Sequence, residues 1–324
     1  MENYLVIDGG GTFTKYALMD ENAAILEKNK VPTPGYKDHK KEDYYRMLDG
    51  IAEQYRDRIA GIAMSLPGML DSERGYCVTA GYLAYLSESP VAEELESRYG
   101  FPVSIENDGK CAALAEFWQG SLKGCRNGAV VVLGSGVGGG LILNGALYRG
   151  SHFSAGEYSY VCANENQSQA LDGYWGISGG APGLAKAVAK YTGTNWEEYD
   201  GIRIFQQAND RNPEVLKGLR DFTDSLAVQI YNLNILLDLD CVAIGGGISQ
   251  QPLLLEYLRE SMDALVDNNP IKMISPHIPK PTLTTCRFYN DANLIGALYR
   301  FKELKAAACR GYTARQINLP HSIT

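Results

Sequence analysis

Histidine is scarce in this chain. There are four in 324 residues (His39, His152, His277 and His321), and they lie far apart. That spacing argues against a His/Cys zinc site and against a histidine-assisted nucleophile. Seven cysteines are present, at 77, 111, 125, 162, 241, 286 and 309; none stands in a C-x-x-C pair and the number is odd. They read as reduced, mostly buried thiols of a cytoplasmic protein rather than a disulfide framework. No Lys/Arg tract offsets the formal charge of -8, so nucleic acid and anionic membranes are not expected partners. No long apolar run survives either: the best stretch, Ala129 to Leu143, is broken by glycines and cannot cross a bilayer as a helix. A basic segment followed by an apolar one is missing from the start, so no signal peptide is expected. The phosphate-loop pattern G-x-x-x-x-G-K-[ST] does not occur.

Two motif matches are present but fail on context. Gly134-x-Gly136-x-x-Gly139 fits the dinucleotide fingerprint, yet a strand and an Asn144-Gly145 hairpin follow it where a helix is needed. Gly176-Ile177-Ser178-Gly179-Gly180 fits G-x-S-x-G, yet "LDGYW" before it is a poor strand and no histidine partner is near.

The remaining pattern is that of an α/β protein. "YLVIDGGGTFTKYALMDENAAILEKNK" (4–30) reads as strand, glycine loop, strand, turn, strand; "AVVVLGSGVGGGLILNGALYRG" (129–150) repeats it. Further strands are expected within 61–71, where the strand ends in a Pro-Gly turn, and at 102–108 and 241–249. Helices are expected over 41–57, 90–99, 109–119, 181–191, 213–237, 252–266 and 291–307. The tail beyond Cys309 is polar, basic and rich in turn residues.

Three glycine loops each follow an apolar strand: Asp8-Gly9-Gly10-Gly11-Thr12, Leu133-Gly134-Ser135-Gly136 and Ile244-Gly245-Gly246-Gly247. Glycine lets backbone approach a ligand, and successive N–H groups in such loops form anion nests. One loop alone reads as a tight turn; three at strand ends point to phosphate. Asp108, at the end of the strand "FPVSIEND", has two readings. It can cap the helix at 109–119, or it can act as a general base that takes the proton of an acceptor hydroxyl beside a transferring phosphoryl group. Asn107 both donates and accepts, which suits a polyol. Glu157 offers a carboxylate that could grip two hydroxyls, although alone it reads as a solvated loop residue.

The stretches "VIDGGGTFTKYALMD", "SLPGMLD", "IENDGKCAALAE", "VLGSGVGGGLILNGALYRG", "AGE", "VAIGGGIS" and "LIGAL" occur in that order between residues 4 and 298. Through them the chain resembles the ROK family of repressors, open reading frames and sugar kinases, within the actin-like ATPase superfamily. The resemblance implies a two-lobed actin-like, ribonuclease H-like α/β fold with a duplicated β-β-β-α-β-α unit. The smaller lobe would span 1–119 and be completed by the helix at 291–307; the larger would span 120–290, with a tail at 308–324. ATP and a sugar would lie between the lobes. Asp8 would act near Mg²⁺, through water. Gly10, Gly11 and Thr12, with Gly134, Ser135 and Gly136, would hold phosphates, and Gly245, Gly246 and Gly247 would lie near the adenosine. Asp108 would be the base, while Asn107, Glu157 and Gly68 would contact the sugar. In this reading the capping and catalytic roles of Asp108 coexist. The implied reaction is transfer of the γ-phosphoryl group to the 6-hydroxyl of a hexose or hexose derivative, in a cytoplasmic homodimer.

The chain departs from the family pattern after Gly156-Glu157. Zinc-bearing members carry a histidine where this chain has Tyr160, and a cysteine-rich loop where it has Cys162 alone. A member without zinc is expected. The family's second sugar-gripping glutamate has no clear counterpart, which leaves Tyr174, Trp175 and Ser178 as candidate pocket residues. Gly109-Lys110 replaces the usual Ala-Asn after the aspartate and is expected to be tolerated, with no chemistry assigned to either position. A sugar-sensing repressor would add a DNA-binding segment ahead of the first strand, and here that strand begins beside Met1. A sugar-binding protein without catalysis is the other alternative; the presence of Asp8, Asp108 and all three loops argues against it.

Overall fold

A computed structural model describes residues 2–35 and 37–310. The polar, basic tail beyond Cys309 falls almost wholly outside them. The chain divides into two compact units. The first runs to Ala115 and resumes at Asp291; the second is Glu116–Asn290.

The first unit opens with β1 (Asn3–Gly9), β2 (Phe13–Asp20) and β3 (Ile25–Pro32), then α1 (Lys41–Tyr55) and β4 (Ile62–Leu66). A small hairpin, β5 (Leu70–Asp71) with β6 (Tyr76–Cys77), precedes α2 (Val91–Tyr99), β7 (Val103–Asn107) and α3 (Asp108–Gln119). The second unit contains β8 (Gly128–Leu133), β9 (Val137–Leu143), β10 (Ala146–Tyr148), α4 (Trp175–Ser178), α5 (Ala181–Thr192), α6 (Gly201–Asn209) and α7 (Pro213–Leu237). It closes with β11 (Cys241–Gly245), α8 (Pro252–Asp267) and β12 (Thr282–Thr285), after which α9 (Ala292–Cys309) completes the first unit.

Each unit holds a five-stranded mixed sheet of the same design. The orders are β3-β2-β1-β4-β7 and β10-β9-β8-β11-β12. In both, the first three strands form an antiparallel meander and the last two add in parallel. The expected duplication is therefore present as two sheets of one topology. The parallel strands β1, β4 and β7 are buried almost throughout and mostly apolar, with polar residues gathered toward their C-terminal ends. β3 is an edge strand and reads "ILEKNKVP", with its charged residues in water.

Local signals account for the helices. α1 buries Tyr44, Tyr45, Leu48, Ile51, Ala52 and Tyr55, the three-and-four spacing of an amphipathic face. α7 starts where the Asn212 side chain accepts the N–H groups of Glu214 and Val215 with Pro213 in the first turn, and it stops at Asp238, φ 49°. One expectation needs correction: the strand at 241–249 ends at Gly245, because Gly246 turns the chain at φ 92°. The strand within 61–71 ends at the Pro67-Gly68 turn as expected, and the short β5 follows it. The division between the units falls inside α3, one turn before the 119/120 boundary. Glu116 explains its place: the carboxylate accepts the backbone N–H groups of Ser121, Arg287 and Phe288, all in the second unit.

Candidate active site

In the first unit the site residues stand at the C-terminal ends of three parallel strands. The register pairs Asp8 with Ser65 and Ser65 with Glu106, so these three form one row across the sheet and share a face. α9 covers that face. Asp8 is 6% exposed and sits among donors. Its Oδ1 accepts the Ser65 hydroxyl at 3.2 Å and the Asn293 amide at 3.0 Å, and its Oδ2 faces Lys15 Nζ at 3.5 Å. Ser65, Asn293 and Lys15 were not singled out by sequence reasoning. The register and the α9 packing that bring them together join positions 57 and 285 residues apart.

Glu106, the first carboxylate of "END", turns inward. It is buried, its Oε1 accepts the Asn107 N–H at 2.9 Å, and its Oε2 lies 3.7 Å from Arg300 Nε on α9. Asn107 points the other way. Its Oδ1 accepts the Lys110 N–H at 3.0 Å and its Nδ2 donates to the Gly68 carbonyl at 2.8 Å. Asn107 is therefore the cap of α3, which corrects the reading of Asp108 as the capping residue. Asp108 is the first helical residue, half-buried, with Oδ1 accepting the Gly109 N–H at 2.7 Å. A carboxylate in the first turn is favoured by the partial positive charge of the helix start. Gly68 adopts φ 99°, and a Cβ there would lie 2.3 Å from the Thr79 carbonyl. The contact that seats Asn107 thus depends on a turn that only glycine can make.

The glycine loops separate into two kinds. At Gly10 a Cβ would meet the Phe13 carbonyl at 2.8 Å, and at Gly11 it would meet Tyr82 Cβ at 3.0 Å. At Gly136 and Gly245 the nearest atoms are the Gly176 carbonyl at 3.0 Å and Cys286 Sγ at 3.1 Å. At Gly246, φ 92°, it is the Leu133 carbonyl at 2.1 Å. The protein's own packing accounts for glycine at Gly10 and Gly246 and is tight at the other three. Gly134 and Gly247 differ: a Cβ at Gly134 would have nothing nearer than 3.9 Å, and at Gly247 nothing within 4 Å. Both follow neighbouring parallel strands, β8 and β11, at the same edge of the second sheet. Among the described residues no packing contact demands glycine there, and the side a Cβ would occupy is left open, although the Gly134 N–H donates to the Gly136 carbonyl at 2.9 Å. Thr12 and Ser135 are both exposed beside their loops.

Glu157 follows Gly156, φ 81°, and precedes Tyr158, which is buried against Trp175 at 5.4 Å between ring centroids. That anchor fixes the turn and leaves Glu157 half-buried. Trp175, expected as a candidate pocket residue, is 2% exposed and belongs to the core. The Tyr174 hydroxyl donates to the Ser168 carbonyl and the Ser178 hydroxyl to the Tyr174 carbonyl. Tyr160 is exposed. The segment after it is closed at its neck by backbone pairing of Cys162 with Tyr174, with Ala163 N–H donating to the Gly173 carbonyl at 2.7 Å. A groove of about 490 Å³ lies between that segment, α5 and α7, but neither Glu157 nor the 134–136 loop lines it.

Comparison with known proteins agrees with the fold. The ROK family matches over residues 4–303. A β-glucoside kinase of Listeria innocua is 31% identical over 245 residues, covering 75% of this chain and 79% of the relative. A ROK family protein from Streptococcus pneumoniae, solved in complex with sucrose, superposes with a TM-score of 0.80 at 29% identity, covering 94% and 99%. A ROK family glucokinase from Streptomyces griseus, solved with glucose and AMPPNP, shares the fold at a TM-score of 0.75 and 22% identity, covering 91% and 98%. The chain belongs to the ROK family, with the α/β fold of its sugar kinases.

Proposed function

We propose that this protein transfers the γ-phosphoryl group of ATP to the 6-hydroxyl of a hexose or hexose derivative, with Asp108 as the base. The observation that carries the reading is the placement of Asp108. It is half-exposed at the end of β7, fixed by the Gly109 N–H, and relieved of capping by Asn107. Phosphoryl transfer asks the protein for held phosphates, a placed metal and an aimed hydroxyl near a proton acceptor.

The residues fit those needs. Asp8, oriented by Ser65 and Asn293, is suited to bind a hydrated Mg²⁺, which would neutralise phosphate charge when bound. Gly10, Gly11 and Thr12 offer one phosphate loop, and Gly134, Ser135 and Gly136 another. The open space beside Gly134, where a Cβ would meet nothing nearer than 3.9 Å, supports that assignment. Gly245, Gly246 and Gly247 are assigned to the adenosine side; the open space at Gly247 supports it, while Gly246 serves the fold. Asn107 keeps one amide hydrogen beyond its bond to Gly68, and with Gly68 and Glu157 it is assigned to the sugar. Asp108 takes the hydroxyl proton as the oxygen bonds to phosphorus, and ADP leaves.

Among glucose, N-acetylmannosamine and β-glucosides, the similarity to a β-glucoside kinase and to a sucrose-bound family member favours a glucoside. A cytoplasmic homodimer remains part of the proposal; no described helix is long and apolar enough to cross a membrane. The test is ADP release with Mg-ATP and a panel of hexoses, hexosamines and β-glucosides. Turnover with at least one sugar is expected; a panel with no sugar-dependent ADP removes the reading.

A further inference from the structure

The chain leaving β3 stays beside the first glycine loop. Thr33, half-buried and one residue beyond that strand, reaches the loop twice. Its backbone N–H donates to the Thr12 carbonyl at 3.0 Å, and its hydroxyl donates to the Gly10 carbonyl at 2.8 Å. A hydroxyl has a single proton to give. With that proton engaged at Gly10, the 2.9 Å contact between the Thr14 and Thr33 hydroxyls has Thr14 as its donor. Thr14 is fully buried on β2, so the line of hydroxyls starts inside the unit and ends on the loop. Sequence reasoning assigned no role to Thr14 or Thr33.

Direction is what these bonds fix. A peptide unit is planar and trans, so its C=O and N–H point to opposite sides. Holding the Gly10 carbonyl toward Thr33 turns the Gly11 N–H away from it. Holding the Thr12 carbonyl does the same for the Phe13 N–H. Gly10 keeps its own N–H within the loop, 3.2 Å from both the Asp8 and the Phe13 carbonyls. Gly11 and Thr12 are exposed, and among the described residues no acceptor takes the N–H of either. Without a tie, a Gly-Gly peptide turns over easily, because glycine tolerates positive and negative φ alike. A Gly10–Gly11 peptide turned the other way would present a carbonyl where a phosphate needs a donor.

We propose that Thr33 is a positioning residue for nucleotide binding: by holding the Gly10 and Thr12 carbonyls it aims the N–H groups of the first glycine loop at a phosphate. This rests on Gly10, Gly11 and Thr12 holding phosphate. The ligand is a nucleoside polyphosphate, and the part of it that Thr33 serves is the phosphate chain and not the base. The backbone half of the tie survives any change of side chain. The hydroxyl half is the part that a substitution removes.

The test is calorimetric titration of the full chain with Mg-ATP in the wild type, Thr33→Val and Thr33→Ser. Adenosine, read by ligand-observed NMR, is the probe without phosphates. Valine keeps the shape of threonine and lacks the hydroxyl. Loss of one such hydrogen bond weakens binding by about two- to tenfold. Thr33→Val is expected to lose ATP affinity by that factor, with a rise in KM for ATP larger than any fall in kcat. Its adenosine and sugar affinities should stay in place. Thr33→Ser restores the hydroxyl and is expected to recover ATP affinity. If Thr33→Val fails to fold, Thr33→Ala removes the same hydroxyl and carries the comparison. Wild-type ATP affinity in a folded variant without the hydroxyl overturns the proposal and leaves the kinase reading standing. An equal loss for adenosine makes Thr33 a general brace and overturns it too. If ATP affinity falls as expected while the wild type turns over no sugar, the kinase reading fails and the role of Thr33 stands.

Discussion

Asn107 Oδ1 accepts the backbone N–H of Lys110 at 3.0 Å, and this bond makes Asn107 the cap of α3 with Asp108 its first helical residue. The amide of Asn107 closes a second contact, to the Gly68 carbonyl at 2.8 Å. One side chain thus ties the start of the helix to the Pro-Gly turn after β4 and sets the position of the carboxylate that follows it.

Asn107→Ala should lose both contacts. Loss of a cap costs about 0.5–2 kcal/mol, and loss of the hydrogen bond to the half-buried Gly68 carbonyl about 0.5–1.5 kcal/mol. A fall of about 1–3.5 kcal/mol in unfolding free energy is expected from urea titration. Asn107→Asp keeps the cap acceptor and should lose roughly half as much. Equal losses for the two variants would show that the cap contributes nothing.

The glycine loops give a paired test. Gly246→Ala places a Cβ 2.1 Å from the Leu133 carbonyl at φ 92° and should destabilise by more than about 3 kcal/mol. Gly134→Ala meets nothing nearer than 3.9 Å and should fold within about 1 kcal/mol of the wild type. Its nucleotide affinity should nonetheless fall at least about tenfold, since the methyl group occupies the open side of the loop. Calorimetric titration with ATP reads the second effect; full affinity in Gly134→Ala would take that loop out of the phosphate site.

Burial gives the protein an alkaline limit. The Cys77 thiol is pushed up to about 12, first by burial and then by the charge of Glu94, and Cys241 is likewise pushed up to about 12, mainly by burial. In the unfolded chain a thiol ionises near about 8.5. The folded state keeps its proton where the unfolded chain releases it. The stability this confers is complete below about pH 8.5 and is lost as pH rises toward about 12. Denaturation midpoints should hold to about pH 8 and fall above about pH 9, and Cys77→Ala should make the fall shallower. An equal fall in Cys77→Ala would rule this thiol out as a source.

Much of the fold is legible in the sequence because its signals are local. The two glycine-looped meanders show their alternation and the Asn144-Gly145 turn, and α7 carries its cap and Pro213 in plain view. β12 is not legible: four residues, "TLTT", become a strand only by lying beside β11 in parallel. α6, nine residues between turn-rich segments, was also missed. At the site, Asp8 and Asp108 stand out at strand ends, but the partners that orient Asp8 do not. Ser65 comes from the neighbouring strand by register, and Asn293 from a helix near the other end of the chain. The cap of α3 shows the limit most clearly. Asn and Asp cap about equally well, so a one-residue choice between Asn107 and Asp108 cannot be made from the string "END". Nor does composition separate Gly134, which the fold does not need, from Gly246, which it does.

Asp108→Asn gives the most direct reading of the base. The substitution keeps the shape of the side chain and removes its ability to take a proton. With the sugar that the panel selects, kcat should fall by about 10²–10⁴, the range for loss of a general base, while sugar affinity measured by calorimetry stays within about threefold. Turnover at the wild-type rate by a folded Asp108→Asn, with sugar binding intact, would contradict the assignment of Asp108 as the base.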